Sequence, residues 1–354
     1  MTDGSENSPE KAPEKAPAPA RGRVAAFFRR LFIVAVVLLV VAGGFAGGLY
    51  VWGRQQFTDP GPLTVEREIV IPGGEGLNAI ATRLYDAGVL ANPLIFRLGV
   101  RFYGQGAALR AGEFRFRPGM SPRQVMELLV SGETILHRIT IFEGLTAVEM
   151  FDMVAANEIL EGEITLEPEE GGFLPETYYF ARGDSRDDLL IRMRETMANT
   201  LDELWQGREA ELPVATPEEA VILASIVEKE TALDNERPIV ASVFVNRLRR
   251  GMRLQSDPTV SYGLTLGQEP LGRSLTRSDL QSDTPYNTYI IGGLPPGPIA
   301  SPGRASIEAV LHPAETGYLY FVADGSGGHA FASTNDEHNR NVARWRRFLR
   351  EQQQ

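Results

Sequence analysis

The sequence contains no cysteine, which removes disulfides, thiolate metal sites and a cysteine nucleophile together. It has little lysine. Lys11, Lys15 and Lys229 are the only three, so chemistry built on a Schiff-base lysine, as in a pyridoxal-phosphate lyase, would have to use Lys229. Positive charge is lacking overall: the net charge is −11 over 354 residues. This argues against nucleic acid as a partner, because it needs a basic face, and none is expected. No Gly-x-Ser-x-Gly elbow of a serine hydrolase occurs, and no His-Glu-x-x-His zinc helix. His329 and His338 lie near Asp336 and Glu337 without metal-site spacing, so no metal and no cofactor is expected.

What the chain does have is one long apolar run. Residues Leu31 to Trp52, LFIVAVVLLVVAGGFAGGLYVW, hold no charge. At ~1.5 Å per residue this helix spans roughly 30 Å, the hydrocarbon thickness of a bilayer. Arg21, Arg23, Arg29 and Arg30 precede it and only Arg54 follows closely, which places the N-terminus in the cytoplasm by the positive-inside rule. A signal-peptide core is usually shorter, although the small residues Ala42 to Gly48 would suit cleavage. The expectation is a disordered cytoplasmic tail over 1–28, rich in Pro, Ala, Lys and Glu, then a single-pass anchor over 29–53 and a linker over 54–65. The rest of the chain then lies outside the cytoplasm.

Beyond the anchor the pattern predicts an α+β fold. In residues 66–142, Ile69-Val70-Ile71-Pro72 reads as a short strand. Leu77, Ile80, Ala81 and Leu84 recur at helical spacing, with Gly88 placed to end that helix. Asn92-Pro93 is an N-cap followed by Pro at the first helical position. Phe114 and Phe116 alternate with Arg115 and Arg117 as in a half-buried strand, and Ser121 to Gln124 form a capping box. The order strand, helix, helix, strand resembles a LysM-like module, a binder of GlcNAc-containing glycans. The alternative is an accessory domain that binds nothing. Residues 143–215 read as a connecting region. It holds a packed loop at Gly171 to Tyr179 and helical periodicity over 183–205. A mixed α+β catalytic domain, 216–350, opens on the capping residues Thr216-Pro217-Glu218-Glu219.

The helix that follows, Ala220 to Val227, is apolar nearly all round and must be buried. It runs into Glu228, Lys229 and Glu230. At about 100° per residue, Glu228 and Glu230 point to nearly opposite sides, so they cannot form a catalytic pair. Glu228 shares the face of Val221, Ala224 and Ser225. A carboxyl group in an apolar setting has its charged form disfavoured. A carboxylic acid that keeps its proton near neutral pH is what glycosidic cleavage needs. On pattern alone, an ordinary solvated helix end competes with this reading.

Six strings, in order, resemble the endolytic murein transglycosylase, or YceG-like, family. They are Ala224-Ser225-Ile226-Val227-Glu228-Lys229-Glu230-Thr231, Val243 to Leu248, Gly251 to Val260, Pro285 to Tyr289, Gly293 to Ile299, and His329-Ala330-Phe331 with Glu337-His338-Asn339. The likeness covers roughly 65 to 345 and includes Leu174-Pro175-Glu176-Thr177-Tyr178, where Glu176 stands in place of an expected Asp. It implies a membrane-anchored enzyme of the inner membrane, with its catalytic domain in the periplasm. Such an enzyme cuts MurNAc–GlcNAc bonds inside nascent glycan strands and leaves 1,6-anhydro-MurNAc ends. The family's catalytic glutamate falls on Glu228, and a link to the peptidoglycan synthesis machinery is implied. A non-catalytic, membrane-anchored peptidoglycan-binding scaffold is the alternative.

Gln255, Asp257, Thr259, Asn287, Tyr289 and Asn335 lie in Pro- and Gly-rich strings read as loops or loop edges. They are candidates for sugar hydroxyls and ring faces or, equally, for bonds that tie loop to loop. Arg247 to Arg250 read as helix-end charge, and His338 as a packed histidine on the face of Val342, Trp345 and Leu349.

Overall fold

The computed structural model describes residues 21–352 and is a mixed α+β chain in two compact units, Met1–Glu133 and Thr134–Gln354. The first unit begins with helix α1 (Arg21–Thr58). Within it, Ala26–Thr58 is the one helix among the described residues that is long and apolar enough to cross a membrane. Residues 21–28, expected in the disordered tail, belong to this helix: Arg, Ala and Phe propagate a helix that the apolar run has nucleated. The rest of that tail lies outside the described residues.

After α1 come β1 (Arg67–Ile71), α2 (Leu77–Asp86), α3 (Pro93–Phe102), β2 (Gly112–Phe116) and α4 (Pro122–Ser131). β1 and β2 pair antiparallel, with Ile69 opposite Phe114 and Glu68 opposite Arg115. Phe114 and Phe116 are fully buried with Ile71, Leu84, Phe96 and Leu129, while Arg115 turns out to Glu68 at 2.8 Å. The local signals act as the sequence predicts. Asn92 Oδ1 accepts from the Leu94 N–H, and Ser121 and Gln124 close a reciprocal capping box.

In the second unit β3 (Leu136–Thr140) and β4 (Thr177–Ala181) pair antiparallel on either side of α5 (Ala147–Ala155) in sequence. This pairing carries residues 136–140 into the second unit, away from the module expected over 66–142. Then follow α6 (Arg186–Gln206), α7 (Pro217–Glu230), α8 (Arg237–Arg249), α9 (Asp257–Thr265), a 3₁₀ turn (Asp279–Gln281), α10 (Arg304–Leu311), the hairpin β5 (Tyr320–Ala323) and β6 (His329–Ala332), and α11 (Asn335–Gln352).

The stretch 143–215 is no mere connector. Leu174, Met197, Leu204 and Val214 share one core with α7, α8 and α10. α7 is its centre: Leu223, Ala224, Ile226 and Val227 are fully buried, as its all-round apolar sequence requires. Thr216 caps it, accepting from the Glu219 N–H at 3.2 Å. The Glu219 carboxylate reaches back one residue further than a capping box would, to the Ala215 N–H.

Candidate active site at the end of α7

The last turn of α7 is held by two strips of extended chain. Ser225 Oγ accepts from the Ile299 N–H at 3.0 Å and donates to Ile222 O, which fixes the strip 299–303 along the helix. The strip 141–145 lies beside it: Gly144 N donates to Ser301 O at 3.0 Å and Ser301 N to Leu145 O at 2.8 Å. Lys229 Nζ donates to Gly144 O at 3.0 Å. Gly144 sits at φ +77, with the Cγ of Glu228 and the Cδ of Lys229 each 3.6 Å from where a Cβ would stand. Those are ordinary contact distances, so it is the left-handed backbone that favours glycine there.

Glu228 emerges half-buried from this frame. Its Oε2 accepts from the Gly303 N–H at 3.0 Å, the N-cap position of α10. On the same glycine rests a second carboxyl: a Cβ on Gly303 would fall onto the side chain of Glu143. Glu143 and Glu228 thus face one cleft of about 490 Å³, together with Glu176, Arg237 and the ring of Phe142. Burial pushes the Glu143 carboxyl above the ordinary carboxylate range. The charge of Glu228 adds to this, and the Arg237 guanidinium opposes it. Arg237 is buried, donates to Asp234 at 2.5 Å, and has its Nε without a partner.

Glu143 escapes a reading by helical period because it follows a strand. The pair Glu143-Gly144 just after the alternating β3 is the signal that would have found it: a charged residue held beside an obligate left-handed turn.

Glu230 points the other way, as the 100° rule requires. Its Oε1 accepts from Ser256 Oγ at 2.6 Å, and it lines neither cleft described here. Burial drives its carboxyl up to about 7, against the Ser256 bond, with the negative Asp257 adding to the rise. A third carboxyl, Glu170, is likewise pushed up to about 7 by burial, although the Ala147 N–H and Tyr262 hydroxyl donate to it at 3.0 and 3.3 Å. Tyr262 also lines a second cleft of about 640 Å³, with Lys229, Asp257, Ser261 and Ile299.

The six candidate binding residues separate into groups. Asp257 and Thr259 stand in the first turn of α9 rather than in a loop. Asp257 is exposed on the second cleft and accepts from the Tyr289 hydroxyl at 2.6 Å. Gln255 is exposed in a left-handed conformation, φ 53, uncommon for its type. Its N–H donates to Thr288 O and its Oε1 accepts from Arg247.

Thr259 and Asn287 are fully buried. Thr259 Oγ1 bonds Ser256 O and Thr288 Oγ1, while Asn287 Nδ2 donates to Leu280 O and Ser282 O. Thr259 ties the first turn of α9 to residue 288, and Asn287 ties its own loop to the 3₁₀ turn and the residue after it, which takes both out of reach of a ligand. Asn335 is exposed at the start of α11 and lines neither cleft.

Arg247 is a correction of another kind. Expected as helix-end charge, it is 7 % exposed and donates to Leu319 O at 2.6 Å and Leu254 O at 2.7 Å, with its guanidinium over Tyr320. His338 stacks on the same tyrosine ring at 5.2 Å, and His329 Nδ1 lies 2.7 Å from Glu236.

A model of the YceG-like family matches residues 69–344, from β1 into α11. A Bacillus subtilis protein named endolytic murein transglycosylase is 30% identical over 329 residues, covering 83% of this chain and 89% of that one. A Streptococcus pneumoniae protein of the same name is 29% identical over 360 residues, with 88% of this chain and 64% of the pneumococcal one covered. The crystal structure of a YceG-like protein from Listeria monocytogenes aligns with a TM-score of 0.47 and 32% identity, covering 78% of this chain and 99% of that chain. The chain belongs to the YceG-like family.

Proposed function

We propose that this protein is an endolytic peptidoglycan lytic transglycosylase that cleaves MurNAc–GlcNAc bonds within nascent glycan strands, with Glu228 as its acid/base. The observation that carries the reading is the Glu228 carboxyl, oriented by the Gly303 N–H and open to a cleft of sugar-binding size. The names of the Bacillus and Streptococcus relatives support the substrate.

Glu228 protonates the glycosidic oxygen, and the C1–O bond breaks through an oxocarbenium-like state. The resulting carboxylate takes the proton of the C6 hydroxyl of the same MurNAc as that oxygen attacks C1. This closes the 1,6-anhydro ring and restores the acid. An internal nucleophile has a high effective molarity, so one carboxyl serves both steps. Glu143 has the role of keeping a proton at the site, because two carboxyls facing one cleft do not both ionise easily. Asp257 is proposed to meet sugar hydroxyls along the second cleft, with Tyr289, which donates to it, and the exposed Gln255 proposed to meet sugar beside that cleft.

In the same reading α1 anchors the chain in the inner membrane, N-terminus inside, and holds the second unit in the periplasm. The LysM-like module of the first unit gathers glycan, and the enzyme works beside the peptidoglycan synthesis machinery.

The test is digestion of purified sacculi and nascent glycan by the full-length, membrane-anchored protein, beside Glu228→Gln, with mass spectrometry of the ends. Internal cuts ending in 1,6-anhydro-MurNAc, absent from the variant, are expected. Reducing ends would replace the transglycosylase by a hydrolase. Glycan binding by wild-type protein without any cleavage would leave a scaffold in its place.

A further inference from the structure

We propose that α3 is a membrane-surface helix. Its outer stripe of Leu94, Leu98 and Phe102 beds into the headgroup–acyl boundary of the bilayer that α1 crosses. The inference rests on the reading of α1 as an anchor.

α3 is apolar on two sides, and one core cannot use both. Ile95, Phe96 and Val100 fill the core of the first unit. Leu94, Leu98 and Phe102 follow one another at four-residue spacing, so they form a single stripe, and they are 52%, 53% and 69% exposed. A continuous apolar stripe left open on a small module marks a binding face.

Its place beside α1 says what covers it. Tyr50, near the end of the uncharged run, lies with its ring 6.0 Å from that of Phe102. One helical stretch later Phe57 stacks on Tyr103 at 5.7 Å and presses on Gly99, where any Cβ would enter the ring. Leu98 and Phe102 continue an apolar groove of about 300 Å³ whose other wall is α1 from Leu49 to Phe57. The stripe therefore sits at the level where the anchor leaves the hydrocarbon, the depth favoured by interfacial aromatic rings.

Charge fits the same partner. Arg97 and Arg101 flank the stripe on α3 and Arg54 borders the groove. Guanidinium groups beside a shallow apolar face are the arrangement that meets lipid phosphates.

The absence of cysteine makes the test direct. Single-cysteine variants Leu98→Cys and Phe102→Cys of the full chain, both at exposed positions, are spin-labelled and reconstituted into phosphatidylcholine vesicles containing phosphatidylglycerol. Collision with oxygen, which partitions into lipid, is compared with collision with a water-soluble nickel chelate. Leu39→Cys inside α1 and Arg115→Cys on the charged strand face serve as references. The expected result is an oxygen-to-nickel ratio at Leu98 and Phe102 several-fold above that at Arg115 and approaching that at Leu39. A ratio equal to that at Arg115, with Leu39 still in lipid, overturns the proposal and leaves the anchor standing. Labels immobilised and shielded from both reagents would mean that a second copy covers the stripe, and this also overturns it. A water-exposed label at Leu39 would remove the anchor reading itself.

Discussion

Replacing Glu230 by Gln is expected to stabilise the second unit by an amount that grows with pH. Glutamine keeps the shape of the side chain and can still accept the Ser256 hydroxyl bond seen at 2.6 Å, but it does not ionise. In the wild-type fold, burial raises the carboxyl from its ordinary 4.5 to about 7. At ~1.4 kcal/mol per pKa unit this corresponds to roughly 3 kcal/mol. A group whose pKa is raised by folding favours the native state below its unfolded value, and that contribution is lost as pH climbs through the folded value. The window is thus from 4.5 to about 7.

Urea unfolding can be followed in detergent by tryptophan fluorescence. A Trp52→Phe background leaves Trp205 and Trp345, both in the second unit. The stability difference between Glu230→Gln and its parent should be small at about pH 4.5 and reach about 3 kcal/mol by about pH 8. A difference that stays constant with pH, or a variant that is weaker at high pH, would refute the assignment of Glu230 as a buried, ionisation-resisting group.

Three further outcomes follow from the site. Glu143→Gln removes a titratable carboxyl that burial holds above its ordinary range, so the pH–rate profile should lose the ionisation that this carboxyl contributes, whereas a purely structural effect would lower activity evenly at all pH values. Gly303→Ala should keep the fold within about 1 kcal/mol, because its Cβ meets the flexible end of Glu143. It should cut the rate by roughly ten- to a hundredfold, and it should add little to Glu143→Gln in the double variant. Arg247→Lys should cost roughly 2–4 kcal/mol in urea unfolding, since a lysine cannot serve the separated carbonyls of Leu254 and Leu319.

What the sequence disclosed follows the range of the forces involved. Signals acting within one turn of helix, such as Asn92 before Pro93, Ser121 with Gln124, and Thr216 before Pro217, appear in the structure where the pattern put them. The apolar circumference of α7 likewise foretold burial. The opposition of Glu228 and Glu230 could be read from the helical period alone. Features made by distant strands of chain could not. Nothing around residue 303 says that a backbone N–H there meets a carboxylate 75 residues earlier. Arg247 has the local look of a solvated helix end, yet its acceptors lie at 254 and 319. Thr259 and Asn287 look ready for a sugar because a polar residue in such a string has the same appearance whether it faces a ligand or the neighbouring loop.

The two strips that cross the end of α7 set an order of assembly. The carboxyl of Glu228 gains its backbone donor only when residue 303 arrives, and Gly144 reaches its acceptor only at Ser301. Closing such distant contacts is slow compared with forming the helix itself. As the chain is made from its N-terminal end, α7 exists before the frame around Glu228 does. The protein therefore acquires the arrangement that we assign to glycan cleavage late in its own biogenesis, after most of the second unit has emerged.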